Sequence, residues 1–444
     1  MTDTDRSEGD VNLGQRREDW QAAHLDAATR QLLAEDARWF LHQSMSTPCL
    51  NALDRAQGSW LTDTAGRRIL DFHGNSLHQI GYGHPSVLAA MRDTLDTLPF
   101  SPRRYTNRPA VELARRLCQA APMQSARLLF APGGTAAIGM ALKLARLATG
   151  RFKTISMWDA FHGASLDAIS IGGEAVFRKG IGPLLPGSEH VPPCDPGHCV
   201  FGCGGSCALR CVDYIDYCLQ KEGDVAAVIV ETIRCTDVQI PSADYYRRLR
   251  QICDRHGALL ILDEIPIALG RTGHLFAVER YGIEPDMIVI GKGLGGGSMP
   301  LAALIAREGL NVGQHISLGH YTHEKNPLAC AAGLAVLDVI EQEDLLARSR
   351  RLGEDALQLL RTQLADQPAV TDIRGAGLLI GIELNDADLA EAVLYSCLSA
   401  GLSFKVGQGQ VLVLAPPLNV DEADLHWALG CVAHAIQAQA QTCA

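Results

Sequence analysis

Lys292 closes the run Asp286-Met287-Ile288-Val289-Ile290-Gly291 and opens onto Gly293-Leu294-Gly295-Gly296-Gly297. A lysine at the end of a strand-like apolar run, facing a glycine-rich loop, is oddly placed for a surface charge. Upstream, a second apolar run, Ala258-Leu259-Leu260-Ile261-Leu262, ends in Asp263-Glu264. A buried amine and a buried carboxylate at neighbouring strand ends are what pyridoxal phosphate chemistry needs. The amine forms a Schiff base with the cofactor's aldehyde. The carboxylate keeps the pyridine nitrogen protonated, so that the ring accepts electrons from a carbanion. Two blander readings compete. Gly291-Lys292-Gly293-Leu294-Gly295-Gly296 matches the dinucleotide fingerprint, but Ser298 to Ala306 carries an early proline and reads as a strand where that fingerprint needs a helix. The other is a solvated loop lysine.

A phosphate also needs a home. Pro132-Gly133-Gly134-Thr135 leads into a segment with Ile138, Ala141, Leu142 and Ala145 on one helical face. Glycines and a hydroxyl at a helix N-terminus aim backbone N–H groups and the positive dipole end at an anion, although an ordinary capped turn has the same residues. The strand-like run Thr154 to Trp158 is followed by Asp159-Ala160-Phe161-His162-Gly163. Phe161 at that end is suited to stack on a flat ring or, equally, to sit in the core.

The elements that position these groups read as alternating helix and strand from about residue 76 to 320. Leu128-Leu129-Phe130, Thr154 to Trp158, Ala226 to Val230, Ala258 to Leu262 and Met287 to Ile290 are short apolar runs without polar alternation. They predict strands buried on both faces of a mostly parallel α/β sheet. Asp19 to Phe40 reads as helical, Gly58 to Phe72 as a hairpin, and Tyr245 to His256 as a helix stopped by Gly257. The expected organisation is a disordered tail over 1–18, an N-terminal segment over 19–75 that joins a small domain, a large cofactor-binding domain over 76–325, and a C-terminal small α+β domain over 326–444.

With 444 residues the chain is long enough for such an arrangement, and its formal net charge of −11 argues against binding nucleic acid or an anionic membrane. The first residues have neither a basic nor an apolar region of a secretory signal, so the expected location is cytoplasmic. Of fourteen cysteines, Cys194, Cys199, Cys203, Cys207 and Cys211 fall in one glycine-rich stretch. Their spacing matches zinc knuckles only loosely, and reduced thiols without a metal are expected. A regulatory protein built around this loop is the reading from a different class.

Taken in order, Asp71-Phe72, Gly81-Tyr82-Gly83-His84-Pro85, Gly134-Thr135, Phe161-His162-Gly163, Asp263-Glu264, Gly270-Arg271-Thr272-Gly273, Ile290-Gly291-Lys292 and Thr322 with Asn326-Pro327-Leu328-Ala329-Cys330 resemble the class III aminotransferases, a branch of the fold-type-I pyridoxal phosphate enzymes. The resemblance runs from about residue 45 to the C-terminus. It implies a large domain with a mostly parallel seven-stranded sheet. It also implies that Lys292 and Asp263 are the catalytic pair, and that Gly134, Thr135, Phe161, His162, Asp263, Lys292 and Thr322 bind the cofactor. Thr322 would reach the phosphate of a neighbouring subunit, making the protein a homodimer, or a tetramer of such dimers.

Departures from the family pattern bear on activity. Ile265-Pro266 stands where Val-Gln is usual, and Thr322-His323-Glu324-Lys325 puts ionisable groups near the site mouth. Many family aminotransferases carry an arginine at the position of Val413, three residues before Pro416, where it clamps a substrate carboxylate. A transaminase must bind an amino acceptor, and a lyase need not, so Val413 favours elimination. Asp71-Phe72-His73-Gly74-Asn75, Asp263 to Pro266 and His320 to Lys325 look most like the ammonia-lyases of hydroxy-aminoethylphosphonate. The expected reaction therefore takes (R)-1-hydroxy-2-aminoethylphosphonate to phosphonoacetaldehyde. Asn75, Arg234 and His323 are candidate substrate contacts, with Arg103, Arg104 and Lys325 as further cations. His323, Glu324 or His78 is the candidate acid for the leaving hydroxyl. The alternative is an ω-aminotransferase of amines or ω-amino acids.

Overall fold

The computed structural model describes residues 13–43, 46–203 and 207–443. Strands β1 (Leu53–Gln57), β2 (Trp60–Asp63) and β3 (Arg68–Asp71) form an antiparallel meander. Next come β4 (Ala126–Ala131), β5 (Lys153–Met157), β6 (Ser188–Val191), β7 (Val225–Glu231), β8 (Leu259–Asp263), β9 (Met287–Ile290) and β10 (Ala302–Arg307). They build a seven-stranded sheet in the order β4-β10-β9-β8-β7-β5-β6, parallel except at β10, which runs antiparallel to both β9 and β4. This is the expected α/β fold class.

β8 and β9 are buried along their whole length, as helices packed on both faces require. β4 differs from the expectation. It lies at the sheet edge, and its first four residues alternate between half-buried and exposed.

After the central sheet the chain adds β11 (Val370–Ala376), β12 (Leu379–Leu384), β13 (Leu402–Ser403), β14 (Lys405–Gly407) and β15 (Val411–Leu414). The order β11-β12-β15-β14 makes an antiparallel sheet, while β13 pairs in parallel with β3 and completes the N-terminal meander. Segments from both ends of the sequence thus share one sheet.

The helices follow local chemistry. Gly134–Thr149 buries Ala137, Ile138, Ala141, Leu142 and Ala145 and stops at Gly150 in the left-handed region, φ 66°. Ala243–His256 starts two residues before the expected Tyr245, capped by the Ser242 hydroxyl, which accepts from the Tyr245 N–H at 3.2 Å, and ends at left-handed Gly257. The single helix expected over 19–40 is two, Gln15–His24 and Ala27–Trp39, because Asp26 accepts from the Thr29 N–H at 2.7 Å and starts a new helix. The first of these also begins inside the expected 1–18 tail; residues 1–12 lie outside those described. After Pro327 the helical stretch is likewise two helices, Pro327–Gln342 and Leu345–Gln363, parted at Asp344 with φ 47°.

Candidate active site

β8 and β9 are parallel neighbours, so Asp263 and the turn after Ile290 open on the same edge of the sheet, where α/β folds bind ligands. The buried Asp263 carboxylate is held from two sides. Its Oδ1 accepts from the Ile265 N–H at 3.0 Å, and its Oδ2 lies 2.8 Å from His162 Nδ1. An ionised carboxylate only accepts, so Nδ1 carries the proton, and the other ring nitrogen takes the Ser156 hydroxyl at 3.3 Å. Both nitrogens of the buried His162 ring are thus engaged within the protein. His162 braces Asp263 through Nδ1 and has no ring nitrogen left over for a further hydrogen bond.

Lys292 begins a tight turn, Lys292–Gly295, and itself adopts the left-handed region at φ 45°. Such strain in a residue other than glycine persists only where the surroundings enforce it. Burial lowers the pKa of its amine most, and the charge of Lys405 lowers it further, against Cys235, Asp263 and Glu231, which raise it. A depressed amine keeps a larger neutral fraction, the form that acts as nucleophile or base. The glycine-rich loop has a steric cause: a Cβ on Gly293 would lie 1.9 Å from the Gln79 side-chain oxygen.

The helix Gly134–Thr149 begins without a side-chain cap, leaving the N–H groups of its first turn aimed at the same edge. A Cβ on Gly134 would meet Ile265 Cδ1 at 2.7 Å, and one on Gly291 would touch the same side chain at 3.4 Å. Ile265 therefore bridges the glycine turn and the lysine turn. Thr135 Oγ1 accepts from the Ser165 N–H and lies 3.3 Å from the Ser165 hydroxyl. Gly163, at φ 124°, admits that hydroxyl, since a Cβ there would lie 2.0 Å from it.

Phe161 remains 37% exposed, its ring tilted against Phe177 at 4.4 Å. Its backbone N–H donates to Glu231 Oε1 at 2.8 Å, and Glu231 Oε2 accepts from the Cys235 N–H. Burial, with Asp263 adding to it, raises the Glu231 pKa. An uncapped helix N-terminus, an open aromatic face, a braced carboxylate and a buried amine fit pyridoxal phosphate group by group.

Other expected contacts fall elsewhere. Arg234 is buried, and its charge is already matched: Nε donates to Asp237 Oδ1 at 2.7 Å, with Asp195 at 3.5 Å and Asp159 at 3.7 Å. An anionic substrate there would meet three carboxylates, so Arg234 is withdrawn as its ligand. His78 is withdrawn as an acid. Burial lowers its pKa to about 4, its Nε2 bonds the Asp71 carbonyl at 3.0 Å, and its Nδ1 sits against Gly74. Asn75 is exposed on a left-handed turn, φ 47°, beside that histidine. Thr322 and His323 are exposed in a different cluster, where His323 packs edge-on against Phe100 and Arg103 pairs with His320 and Glu324. Among the described residues no group of three or more His, Cys, Asp or Glu is placed to hold a metal ion. Residues 204–206 of the cysteine stretch lie outside the described ones.

The sequence reading missed Ser156, Ser165, Glu231 and Lys405, whose positions depend on pairing between distant segments; Ile265 stood out only as a departure from the family pattern.

This fold, with an amine and a braced carboxylate at adjacent strand ends, defines a pyridoxal phosphate enzyme. The sequence model of the class III aminotransferases matches residues 42–436, and the chain belongs to that family. It is 48% identical to an (R)-1-hydroxy-2-aminoethylphosphonate ammonia-lyase of Vibrio splendidus strain 12B01, covering 97% of this chain and 95% of that protein. It is 35% identical to an acetylornithine aminotransferase of Methanopyrus kandleri, over 86% and 93% of the two chains. Among solved structures, a Bacillus anthracis aminotransferase superposes with a TM-score of 0.85 at 28% identity, over 93% of this chain and 99% of that one. A pyridoxal phosphate-bound amine transaminase from an uncultivated Pseudomonas species gives 0.83 at 29% identity, over 91% and 99%.

Proposed function

We propose that this enzyme is an ammonia-lyase acting on (R)-1-hydroxy-2-aminoethylphosphonate and forming phosphonoacetaldehyde. The observation that carries the reading is the 48% identity, over nearly the whole chain, to a lyase of that name. The site is consistent with it. Val413 is buried in β15 between Gly381 of β12 and Lys405 of β14, so no arginine stands where many family aminotransferases carry their carboxylate clamp.

Pyridoxal phosphate, when bound, supplies the electron sink for the carbon bearing the substrate nitrogen. The first turn of Gly134–Thr149 and the Thr135 hydroxyl would hold its phosphate, and Phe161 would stack on its ring. Asp263, oriented by His162, keeps the proton on the pyridine nitrogen. Lys292 takes the proton from the substrate carbon, a transfer that its lowered pKa favours. The C–O bond of the neighbouring carbon then breaks, and the hydroxyl leaves as water with a proton. Lys292, protonated by the preceding step, is the acid nearest to hand. The released enamine hydrolyses to the aldehyde and ammonia. The subunits pair as a homodimer in the cytoplasm, with Thr322, His323 and Glu324 facing the partner's site.

The test is to mix the enzyme with the aminophosphonate and no keto acid. Many ammonia molecules per enzyme, with the cofactor absorbance unchanged, is the expected result. Bleaching after one turnover, restored by a keto acid, would instead establish the alternative, an aminotransferase. That alternative draws on the 35% identity to an aminotransferase.

A further inference from the structure

A hydroxyl leaves carbon poorly until it is protonated, so the proposed reaction needs an acid in contact with that oxygen. Lys292 is the source of the proton, but the same amine has just drawn one from the adjoining carbon. A separate group that hands the proton over lets the two transfers proceed in step. The acids expected from the sequence are otherwise engaged. His78 has a depressed pKa and bonds the Asp71 carbonyl, Glu324 pairs with Arg103, and His323 is exposed and bonded to Asn326.

Glu231 is placed differently. It ends β7 directly opposite Asp263 in the parallel ladder with β8, so the two carboxylates leave the sheet at the same edge and on the same face. Val225 to Val230 are buried, whereas Glu231 is half-buried, the one residue of β7 that opens beyond the strand ends. The segment after β5 ties both carboxylates to the pocket. Phe161, the ring proposed to stack on the cofactor, donates its backbone N–H to Glu231 at 2.8 Å, and the adjoining His162 ring donates to Asp263 at 2.8 Å. Among the described residues no ion pair holds Glu231, since Arg234 is bonded to Asp237, with Asp195 and Asp159 beyond. Its carboxyl accepts from the N–H groups of Phe161 and, at 3.2 Å, Cys235, which leaves each oxygen a lone pair. The titratable groups around it are His162, Asp263 and Lys292 from other elements and Arg234 and Cys235 from its own loop. Burial and the charge of Asp263 raise its pKa, against His162 and Arg234, and so enlarge the protonated fraction that an acid needs.

We infer that Glu231 is the catalytic acid that hands the leaving hydroxyl its proton. The inference rests on the proposed function. As the C–O bond breaks, its electron pair stays on oxygen, the carboxyl proton of Glu231 joins that oxygen, and water departs. The electrons of the broken C–H bond become the carbon–carbon double bond of the enamine. Lys292 then returns the proton it removed to the Glu231 carboxylate, and both groups regain their starting state. The competing reading is a structural one, in which Glu231 only holds the Phe161 backbone.

The experiment uses holoenzyme of wild type, E231Q and E231D with two substrates: the hydroxyl compound and its 1-chloro analogue, whose chloride leaves without a proton. E231Q keeps an acceptor for the Phe161 N–H but has no acidic proton. Its kcat should fall about 10²–10³-fold on the hydroxyl compound and at most about 3-fold on the chloro analogue, with part of the loss recovered in E231D. In deuterated water E231Q should still exchange the hydrogen on the carbon bearing nitrogen, because Lys292 continues to take it. Wild type gives an independent reading that holds even where E231Q fails to fold. Its kcat on the hydroxyl compound should fall as rising pH ionises Glu231, and its kcat on the chloro analogue should not. An E231Q loss shared by both leaving groups, no E231Q loss with either, or an alkaline loss common to both in wild type overturns the inference and leaves the lyase reading standing. A wild type that releases ammonia from neither compound overturns both.

Discussion

Asp263 depends on its neighbours for its orientation. With His162 removed, the buried carboxylate keeps, among the described residues, only the Ile265 N–H as a protein donor. A buried charge that loses such a bond forfeits roughly 1.5–3 kcal/mol. H162A should therefore weaken cofactor retention on dialysis and lower kcat by about 10- to 100-fold, and H162Q should recover part of the loss. K292A should still take up the cofactor from solution, yet borohydride should fail to fix it to the chain, and kcat should fall by about 10²–10⁴-fold. The catalytic pair was legible in the sequence because each member ends an unbroken apolar run. Lys405 was not, since its opposition to Val413 exists only once β14 and β15 pair. The neutralisation of Arg234 was equally hidden, because Asp159 and Asp195 come from separate segments.

At the level of elements, the strands around the site were legible from their Val, Ile and Leu content. Helix boundaries were not, because a single side-chain cap at Asp26 outweighed a continuous helical pattern. Gly163 illustrates a constraint that spans two elements: its open backbone after β5 receives the Thr135 hydroxyl from the helix that precedes β5. G163A should lower cofactor affinity at least about 5-fold, measured by fluorescence titration, because a strained φ and a displaced Thr135 together cost more than about 1 kcal/mol. Glu264 fastens β8 to the turn Ala277–Tyr281, accepting from Thr232 Oγ1 at 2.9 Å and from the N–H groups of Ala277 and Val278 at 2.6 and 2.8 Å. Burial raises its pKa from 4.5 to about 7. A raised folded-state pKa gives stability that is fully present below pH 4.5 and lost as pH rises through 7. The unfolding free energy of wild type should thus fall by on the order of 2–3 kcal/mol from pH 5 to 8 relative to E264Q, whose profile should be flatter although lower overall. Denaturant titrations at several pH values would check it.

For the whole molecule, the α/β class followed from alternating patterns, but the placement of β13 did not, since two residues carry no periodicity. Thr322 and His323 are exposed in the single chain, as expected if they serve a partner's site. Sedimentation should find a dimer at micromolar concentration. T322A should remain dimeric while retaining cofactor about 5-fold less well, as loss of one phosphate hydrogen bond implies.

The parallel pairing of β3 with β13 has a further consequence during synthesis. The meander β1–β3 leaves the ribosome long before residues 402–403 exist to cover its edge. At about 5–20 residues per second, the unpaired β3 edge stays open for roughly tens of seconds. An uncovered edge strand is a template for pairing with other chains. The nascent chain is therefore most in need of a chaperone over its N-terminal strands, and a ribosome stalled before β13 would release a product prone to aggregate.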